Sequence, residues 1–192
     1  MSPRRFGLMT LTLCLSLSGC SSVINTAREK PIEDDRSTRT LGSKIDDSLI
    51  ETKVEVNIAK ASPDLDKHSH IVVSSYNGVV LLAGQTPRAD LKSLAEQTAS
   101  QVQRVKRVHN ELQVMQPSSL LARNNDAWLT TKVKAQLLGN ADVRSSRIKV
   151  ITENGIVYLL GLVSQQEANQ ATAVVQGVAG VQKIVKLFEY ID

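Results

Sequence analysis

Residues 77–84 read NGVVLLAG and residues 154–161 read NGIVYLLG, with five of the eight positions identical. Asn-Gly most readily takes a positive φ at both centres of a type I′ turn, so each stretch predicts a tight β-hairpin. Runs rich in strand-forming residues precede both turns, HIVVSSY at 70–76 and RIKVITE at 147–153. The sequence therefore predicts two hairpins of the same construction.

The sequence before each hairpin also repeats. Residues 47–54, DSLIETKV, align with residues 126–133, DAWLTTKV, with four of eight positions identical. Apolar residues recur in both at i, i+4 spacing, which predicts an amphipathic helix at the start of each copy. They are Ile50, Val54 and Ile58 in the first copy and Leu129, Val133 and Leu137 in the second, where Gln136 is predicted on the same buried side.

A second helix and a closing strand are predicted after each hairpin. In the first copy the helix opens at Thr86-Pro87, because proline suits the first helical position. In the second copy it opens at Ser164, and a glutamate three residues later completes a capping box. The closing strands are RVKRVHNELQV at 104–114 and GVQKIVKLFEYI at 180–191. The order in each copy is αββαβ, which is an α+β fold.

The repeat divides the chain into two tandem domains. They are predicted at 46–115 and 126–192, each with a three-stranded mixed sheet packed by two helices, and a linker at 116–125 joins them. A domain of about 70 residues is close to the size at which a single core is only marginally stable. We therefore expect the two domains to pack against each other.

The N-terminus is predicted to be a lipoprotein signal peptide, residues 1–19. A basic start precedes an apolar run that is too short to span a membrane. The run ends in LSGC at 17–20, which resembles the bacterial lipobox and so implies cleavage before Cys20 and lipid attachment to it. A plain secreted protein with a cysteine at this position is the alternative. Ser21, in place of Asp after the cysteine, resembles the outer-membrane sorting signal of lipoproteins.

Residues 20–45, the lipidated cysteine and a linker, are polar, charged and without hydrophobic period, as is typical of a flexible tether. Because Cys14 leaves with the signal and Cys20 would carry lipid, no thiol remains for a disulfide or a cysteine metal site. No cofactor and no metal are expected, apart from the covalent lipid on Cys20.

The charge of the chain is mildly basic. It has 23 basic and 19 acidic residues, a net charge of +4, and losing Arg4 and Arg5 with the signal would leave +2. Domains that bind nucleic acid usually carry a much stronger basic patch. We therefore expect no nucleic-acid partner.

Candidate catalytic residues are few. His68 and His70 would share a strand side but have no third ligand at hand, so a solvated loop end is favoured over a zinc site. His109 is predicted to be a surface residue, and Asp46-Asp47 are predicted to cap the helix that follows them. The chain is predicted not to be an enzyme. An envelope hydrolase that uses His68 and His70 is the least favoured alternative.

The αββαβ order, the Asn-Gly-x-Val-x-Leu-x-Gly hairpin and a closing segment of the Gly-Val-x-x-Val type together resemble the BON domain. Two such domains behind a lipobox are similar to the dual BON-domain lipoproteins of bacterial envelopes. The first copy departs from the second at one point, because Arg104 stands where the second has Gly180. We therefore do not expect a left-handed residue at that helix exit in the first copy.

The only tryptophan, Trp128, lies in the first helix of the second copy. At about 100° per residue it falls well away from the buried side of that helix. The outward face that it shares is formed by Ala127, Thr131, Ala135 and Leu138, with Lys132 on one flank and Lys134 on the other. An apolar strip bordered by lysines suits a membrane interface, where an indole lies at headgroup depth and ammonium groups meet lipid phosphates. Packing of this face against the first domain is the alternative.

The first copy provides an internal control for this interpretation. At the positions of Trp128, Thr130 and Lys134 it has Leu49, Glu51 and Glu55. Residues 46–115 hold eight basic and nine acidic residues, whereas residues 126–192 hold seven basic and six acidic ones. Only the second copy is therefore expected to suit an anionic membrane.

The family resemblance implies that the first helix of the second BON domain contacts anionic phospholipid. The resemblance assigns this lipid contact to Trp128, Thr131, Lys132, Lys134 and Leu138. Ala135 lies on the same face. We expect an outer-membrane lipoprotein, lipid-anchored on the periplasmic side, that binds phosphatidylglycerol or cardiolipin through this helix and supports envelope integrity. A protein-interaction module that assists the outer-membrane protein assembly machinery is the alternative.

Overall fold

The computed structural model describes residues 39–191. The predicted signal peptide at 1–19, Cys20 and the predicted linker up to residue 38 lie outside the described residues. Helices and strands of the first module are α1 (Leu41–Ala61), α2 (Pro63–Lys67), β1 (His70–Tyr76), β2 (Val79–Thr86), α3 (Ala89–Ser100), β3 (Arg107–Asn110) and β4 (Gln113–Val114).

The second module has the same plan. It consists of α4 (Leu120–Gly139), a 3-10 turn (Ser145–Arg147), β5 (Ile148–Glu153), β6 (Ile156–Val163), α5 (Gln165–Gln176) and β7 (Lys183–Tyr190). The predicted αββαβ order and the α+β fold are confirmed in both modules. The two copies differ most in the connection before the hairpin, which is the short helix α2 in one and the 3-10 turn in the other.

Both hairpins form at the Asn-Gly dipeptides. Asn77 and Gly78 have φ of 54° and 79°, and Asn154 and Gly155 have φ of 51° and 71°. Strands β1 and β2 pair antiparallel on either side of the first turn, and β5 and β6 do so on either side of the second. Positive φ at both turn residues is what a two-residue hairpin requires, so this prediction is confirmed.

The closing strands add to each hairpin in parallel. Strand β7 pairs with β6 along its whole length, which gives the second module a three-stranded mixed sheet. In the first module the closing strand is interrupted, and β3 and β4 pair separately with β2. The side-chain oxygen of Asn110 accepts a hydrogen bond from the Leu112 backbone N–H at 3.3 Å, and Leu112 is buried in the core. This local turn explains why the sheet has four strands and not the three predicted.

Each sheet is buried on both faces. In β2, Val80 and Leu82 pack against the helices of the first module, and in β6, Val157 and Leu159 pack against those of the second. The alternate side chains point the opposite way, because successive residues of a strand face opposite sides of the sheet. They meet in a third core made of Tyr76, Leu81, Ala83, Tyr158, Leu160 and Leu187. The prediction that the two domains pack against each other is therefore confirmed, and sheet against sheet is how they do it.

The contact between the modules is nearly symmetric. The side-chain amide of Asn77 donates to Glu189 at 2.7 Å, and that of Asn154 donates to Gln113 at 3.3 Å. Gln113 and Glu189 occupy equivalent positions in the closing strands, so each turn contacts the same place on the other module. Both modules belong to one compact unit. A fragment that begins at Ser21 keeps every residue of the three cores, so we expect it to fold.

An aspartate holds each hairpin turn against the first helix of its module. In the first module, Asp47 accepts hydrogen bonds from the backbone N–H groups of Asn77 at 2.8 Å and Gly78 at 2.9 Å. In the second, Asp126 accepts from Asn154 at 2.7 Å and Gly155 at 2.9 Å. The prediction that Asp46-Asp47 cap the helix is wrong. The Asp47 carboxylate is buried in the fold because it satisfies turn amides that would otherwise lack partners.

Asp47 has two further donors. Its carboxylate accepts from the Ser75 hydroxyl at 2.7 Å and from the Arg39 guanidinium at 2.6 Å. Burial alone would raise the pKa of Asp47, but the hydrogen bonds from Gly78, Ser75, Asn77 and Arg39 outweigh it and hold the pKa below its ordinary value. Asp46 lies one residue earlier and forms an exposed ion pair with Arg104.

The first helix of each module begins earlier than predicted. Thr40 caps α1 by accepting from the Ser43 N–H at 3.1 Å, so residues 41–45 are helical and do not belong to the linker. Ser119 caps α4 by accepting from the Ala122 N–H at 3.2 Å. Residues 120–125 of the predicted linker 116–125 are therefore helical as well. In each case a hydroxyl upstream of the aspartate provides the cap.

Three further local predictions concern the start and the exit of the second helix in each module. Pro87 is not the first residue of a helix, because Thr86 ends β2 and α3 begins at Ala89 without a side-chain cap. The Ser164 capping box is confirmed.

Arg104 has a φ of 72° and Gly180 a φ of 104°, so the two helix exits share a left-handed residue. The expectation that Arg104 would avoid this conformation is wrong, and its backbone carries the cost that a side chain adds there.

Candidate functional site

Helix α4 presents its apolar stripe to the core, as the spacing predicts. Leu129, Val133 and Leu137 are buried against the sheet and α5. Gln136 is exposed, so its predicted place on the buried side is wrong. The core side of α4 is narrower than the sequence indicates, which leaves more of the helix surface open.

Trp128 lies on the open side of α4. Its exposed fraction is 65%, and the alternative in which it packs against the first module is therefore wrong. Ala127, Thr131, Ala135 and Leu138 are exposed on the same side, and Leu138 is 77% exposed. We call these five residues the Trp128 face. An exposed indole and an exposed leucine on one helix side form an apolar patch, and such patches often mark interaction sites.

The two lysines beside the Trp128 face lie on opposite flanks. The Lys132 ammonium donates to the backbone carbonyl of Ala179 at 2.9 Å, in the loop after α5. Lys134 lies on the side of the first module, at a cleft that it shares with residues of α1 and β5. The Trp128 face is therefore bordered by positive charge on both sides, and each lysine also adjoins a concave surface.

The structure adds two residues that the sequence analysis missed. Leu120 and Leu121 form the exposed first turn of α4, with exposed fractions of 76% and 71%. Leu121 lies seven residues before Trp128 and so falls on the same side of the helix. The signal was present in Ser119, a capping residue directly before two leucines, but those residues were placed in the linker. They extend the open apolar side of α4 over about 26 Å, at about 1.5 Å per residue from Leu121 to Leu138.

A groove of about 630 Å³ runs along the Lys132 flank, between the end of α4 and the end of α5. Its lining includes Lys132, Ala135, Gln136, Val174 and Ala179, and no acidic residue lines it. Two helices meet here with small side chains, which leaves room between them. The groove joins the Trp128 face through Ala135 and Lys132.

Helix α1 of the first module differs at the matching positions. Leu49 is about half exposed, but it is much smaller than an indole. Glu55 is exposed and places a carboxylate where α4 has Lys134. Glu51 does not lie on the open side as expected, because it accepts from the Ser75 N–H at 2.6 Å and pairs with Lys149 of the second module. Only one of the two carboxylates therefore stands on the outer surface of α1.

The histidines do not form a common site. His68 pairs with Asp64 at 3.0 Å in the first module, whereas His70 lies in β1 and faces Glu153 of the second module at 3.4 Å. The predicted solvated loop end is therefore wrong for His70. His109 is partly buried, and burial lowers its pKa, as does the charge of Arg107. Within residues 39–191, no group of three or more His, Cys, Asp or Glu side chains could hold a metal ion.

No helix among residues 39–191 is both long and apolar enough to cross a membrane. The open side of α4 is apolar over a single stripe, and its opposite side is part of the core.

Comparison with known proteins places the chain in a family. Residues 46–116 and 125–192 each match the BON domain. The chain is 36% identical over 192 residues to outer membrane lipoprotein DolP of Haemophilus influenzae, across 100% of this chain and 99% of that protein. It is 35% identical over 154 residues to a 21 kDa hemolysin of Actinobacillus pleuropneumoniae, across 80% of this chain and 79% of that protein. The chain therefore belongs to the BON-domain family, and it is an outer-membrane lipoprotein of the group that includes DolP.

Proposed function

We propose that the second module docks on anionic phospholipid through the Trp128 face of α4, and that the protein supports envelope integrity by this contact without being an enzyme. The lipid anchor on Cys20 would hold the modules at the periplasmic side of the outer membrane. Phosphatidylglycerol and cardiolipin are the ligands that fit. The observation that carries the proposal is the exposure of the only tryptophan, 65%, on a helix side that no other part of residues 39–191 covers.

The chemistry of the face supports a lipid surface. An indole has an apolar ring and one N–H donor, so it is most stable at the boundary between acyl chains and headgroups. Lysines near an anionic surface each contribute on the order of 1 kcal/mol. The stems of Lys132 and Lys134 can lie along the apolar layer while their ammonium groups reach phosphates. Weak docking is sufficient, since an anchored module stays at high effective concentration near the bilayer.

The test replaces matched residues of the two modules. Trp128→Glu is expected to weaken binding of the fragment from Ser21 to phosphatidylglycerol vesicles by at least about 30-fold, because it removes the indole and adds a repelled carboxylate. Leu49→Glu, at the equivalent position of α1, is the control and is expected to change binding less than about threefold. Both residues are exposed, so both variants should fold. Vesicle co-sedimentation measures binding, and circular dichroism checks the fold.

Equal binding by folded Trp128→Glu and wild-type fragments would refute lipid docking by this face. Loss of binding in Leu49→Glu alone would move the site to the first module. If Trp128→Glu leaves vesicle binding unchanged but abolishes a function in cells, the face contacts a protein, as in the alternative of an interaction module for outer-membrane protein assembly.

A further inference from the structure

A second concave surface lies where the two modules meet. This cleft, which we call the junction cleft, has a volume of about 320 Å³. The first module contributes Arg39, Lys44 and Ser48, and the second contributes Lys134, Ser146 and Lys149. Asp47, Glu51 and Tyr76 are also among its lining residues. Neither module forms the cleft alone.

Two of its four cations are neutralised within the protein. Arg39 pairs with Asp47 at 2.6 Å and stacks on the Tyr76 ring, 3.6 Å from its centroid. Lys149 pairs with Glu51 and also donates to the Ser75 carbonyl at 3.2 Å. These pairs fix the inner wall of the cleft, because each side chain is bonded to a second element.

The other two cations have no such partner. Among residues 39–191, the side chains of Lys44 and Lys134 form no ion pair and no hydrogen bond. Both acidic residues of the cleft, Asp47 and Glu51, are already paired. The Ser48 hydroxyl donates to the Lys44 carbonyl, and the Ser146 hydroxyl completes the polar rim. Within residues 39–191 the rim therefore carries two unpaired positive charges from two different modules, and cations on one concave rim suit an anionic group such as a phosphate.

The position of the cleft indicates where such a phosphate would come from. Lys134 belongs both to the cleft rim and to the flank of the Trp128 face, so a module seated on a bilayer by Trp128 brings the rim to headgroup height. Arg39, which lies just before α1, also lines the cleft. Eighteen residues lie between Cys20 and Arg39, which gives a reach of at most about 65 Å. An anchored chain can therefore present this cleft to the leaflet that holds its own lipid.

We infer that the junction cleft binds the phosphate of an anionic phospholipid headgroup, with Lys44 of the first module and Lys134 of the second as its ligands. The inference rests on the proposed lipid docking of α4 and gives the first module a part in it. Because the two lysines come from different modules, headgroup binding also requires that the modules remain packed together. Trp128 would insert into the lipid interface. The cleft would bind the headgroup phosphate and so favour anionic over neutral lipids.

The experiment titrates the fragment from Ser21 with dihexanoyl phosphatidylglycerol below its micelle concentration, and follows backbone amide and Trp128 indole resonances by NMR. The expected result is a saturable shift at Lys44, Ser146 and Lys149, which dihexanoyl phosphatidylcholine does not produce. Lys44→Glu is expected to weaken this response about tenfold. Lys53→Glu makes the same change of charge on the exposed part of the same helix, away from the cleft, and is expected to leave the response unchanged.

Three other results would overturn the inference. If shifts occur only on the Trp128 face, and Lys44→Glu behaves like Lys53→Glu, the cleft is not a headgroup site but the proposed docking stands. If inorganic phosphate shifts the cleft resonances as strongly as the lipid does, the cleft binds free anions. If neither the indole nor the cleft responds to the anionic lipid, the proposed function fails together with the inference. Lys44→Gln, which removes the charge without reversing it, should give a smaller loss and covers the case in which Lys44→Glu is unstable.

Discussion

The first helices of the two modules, α1 and α4, have the same core side and different outer sides. Both bury three aliphatic residues at i, i+4 spacing, and both carry an aspartate that holds an Asn-Gly turn. At equivalent positions of the outer side, α1 has Leu49 and Glu55 where α4 has Trp128 and Lys134. The buried side keeps aliphatic residues in both helices because the core requires them, whereas the exposed side differs in the residues that a binding role would use.

The core sides of α1 and α4 differ in the number of hydrogen-bond donors to the aspartate that holds each turn. Asp47 has four donors, including the Arg39 guanidinium, whereas the two turn amides are the donors that the structure shows for Asp126. Arg39 precedes α1, so the segment directly before this helix also contributes to the network around Asp47. The first turn is thus also held by a partly buried ion pair with a residue that precedes α1, and the described residues of the second module show no equivalent pair.

The largest expected effect is on stability and concerns these aspartates. Asp47→Asn should lower the free energy of unfolding by about 3–5 kcal/mol, because it leaves buried donors and the Arg39 charge without a carboxylate. Asp126→Asn should cost less, about 1–3 kcal/mol, since only two amides lose their acceptor. Urea unfolding of the fragment from Ser21 measures both. An equal or larger loss for Asp126→Asn would contradict the comparison of the two turns.

A second prediction follows from the pKa of Asp47, which hydrogen bonds hold below its ordinary value of 3.8. A carboxyl with a lowered pKa in the folded state stabilises the fold fully above its unfolded pKa and loses this contribution as the pH falls through the folded pKa. The stability gap between wild type and Asp47→Asn should therefore be constant above about pH 5 and narrow below about pH 4. Denaturant unfolding at a series of pH values from about 6 down to about 3 checks it. A difference in unfolding free energy between wild type and Asp47→Asn that increases as the pH falls would contradict this prediction.

The outer side gives a third, smaller prediction. Lys134→Glu should weaken binding to phosphatidylglycerol vesicles about tenfold at low salt, and Glu55→Lys should strengthen it up to about fivefold. Both effects should shrink at 0.5 M salt, because exposed charges are screened over about 4 Å at that ionic strength. Co-sedimentation at two salt concentrations measures them. A Lys134→Glu loss that is independent of salt would show that the lysine acts through packing and not through charge.

The smallest expected effect concerns the two helix exits. Gly180→Ala should destabilise the second module by about 1 kcal/mol, because its φ of 104° is unfavourable for any side chain. Space is not the reason, since a Cβ at Gly180 would lie 3.5 Å from Leu129, an ordinary contact. Arg104→Gly should be neutral or stabilise the first module by up to about 1 kcal/mol, even though it removes the exposed pair with Asp46. Thermal unfolding tests both, and a stabilising Gly180→Ala would contradict this account of the backbone.

Local patterns in the sequence predicted most of the fold. The Asn-Gly turns, the i, i+4 stripes and the Ser164 capping box each depend on residues close together in the chain, so their outcome did not require tertiary information. The outward position of Trp128 followed from helix geometry in the same way. The apolar sequence of β2 and β6 has its explanation in the fold, since each sheet is covered by helices on one face and by the other sheet on the opposite face.

What the sequence did not predict depended on partners far along the chain. An aspartate near the start of a helix has the signature of a cap, and nothing local shows that Asp47 bonds to Gly78, 31 residues later. Glu51 was expected on the outer surface, but Lys149 of the second module draws it inward. Lys44 was placed in the linker and so was not considered for binding. The junction cleft could be recognised only after both modules had been packed together.

Trp128 is proposed to enter an anionic lipid interface, and as the only tryptophan of the chain it reports on this contact directly. The measurement is the emission spectrum of the fragment from Ser21, titrated with phosphatidylcholine vesicles and with vesicles that also contain phosphatidylglycerol. We expect emission typical of a water-exposed indole in buffer, a shift to shorter wavelength with the anionic vesicles only, and reversal of that shift by salt. Emission that is already at short wavelength in buffer, or that does not respond to either vesicle, would contradict it.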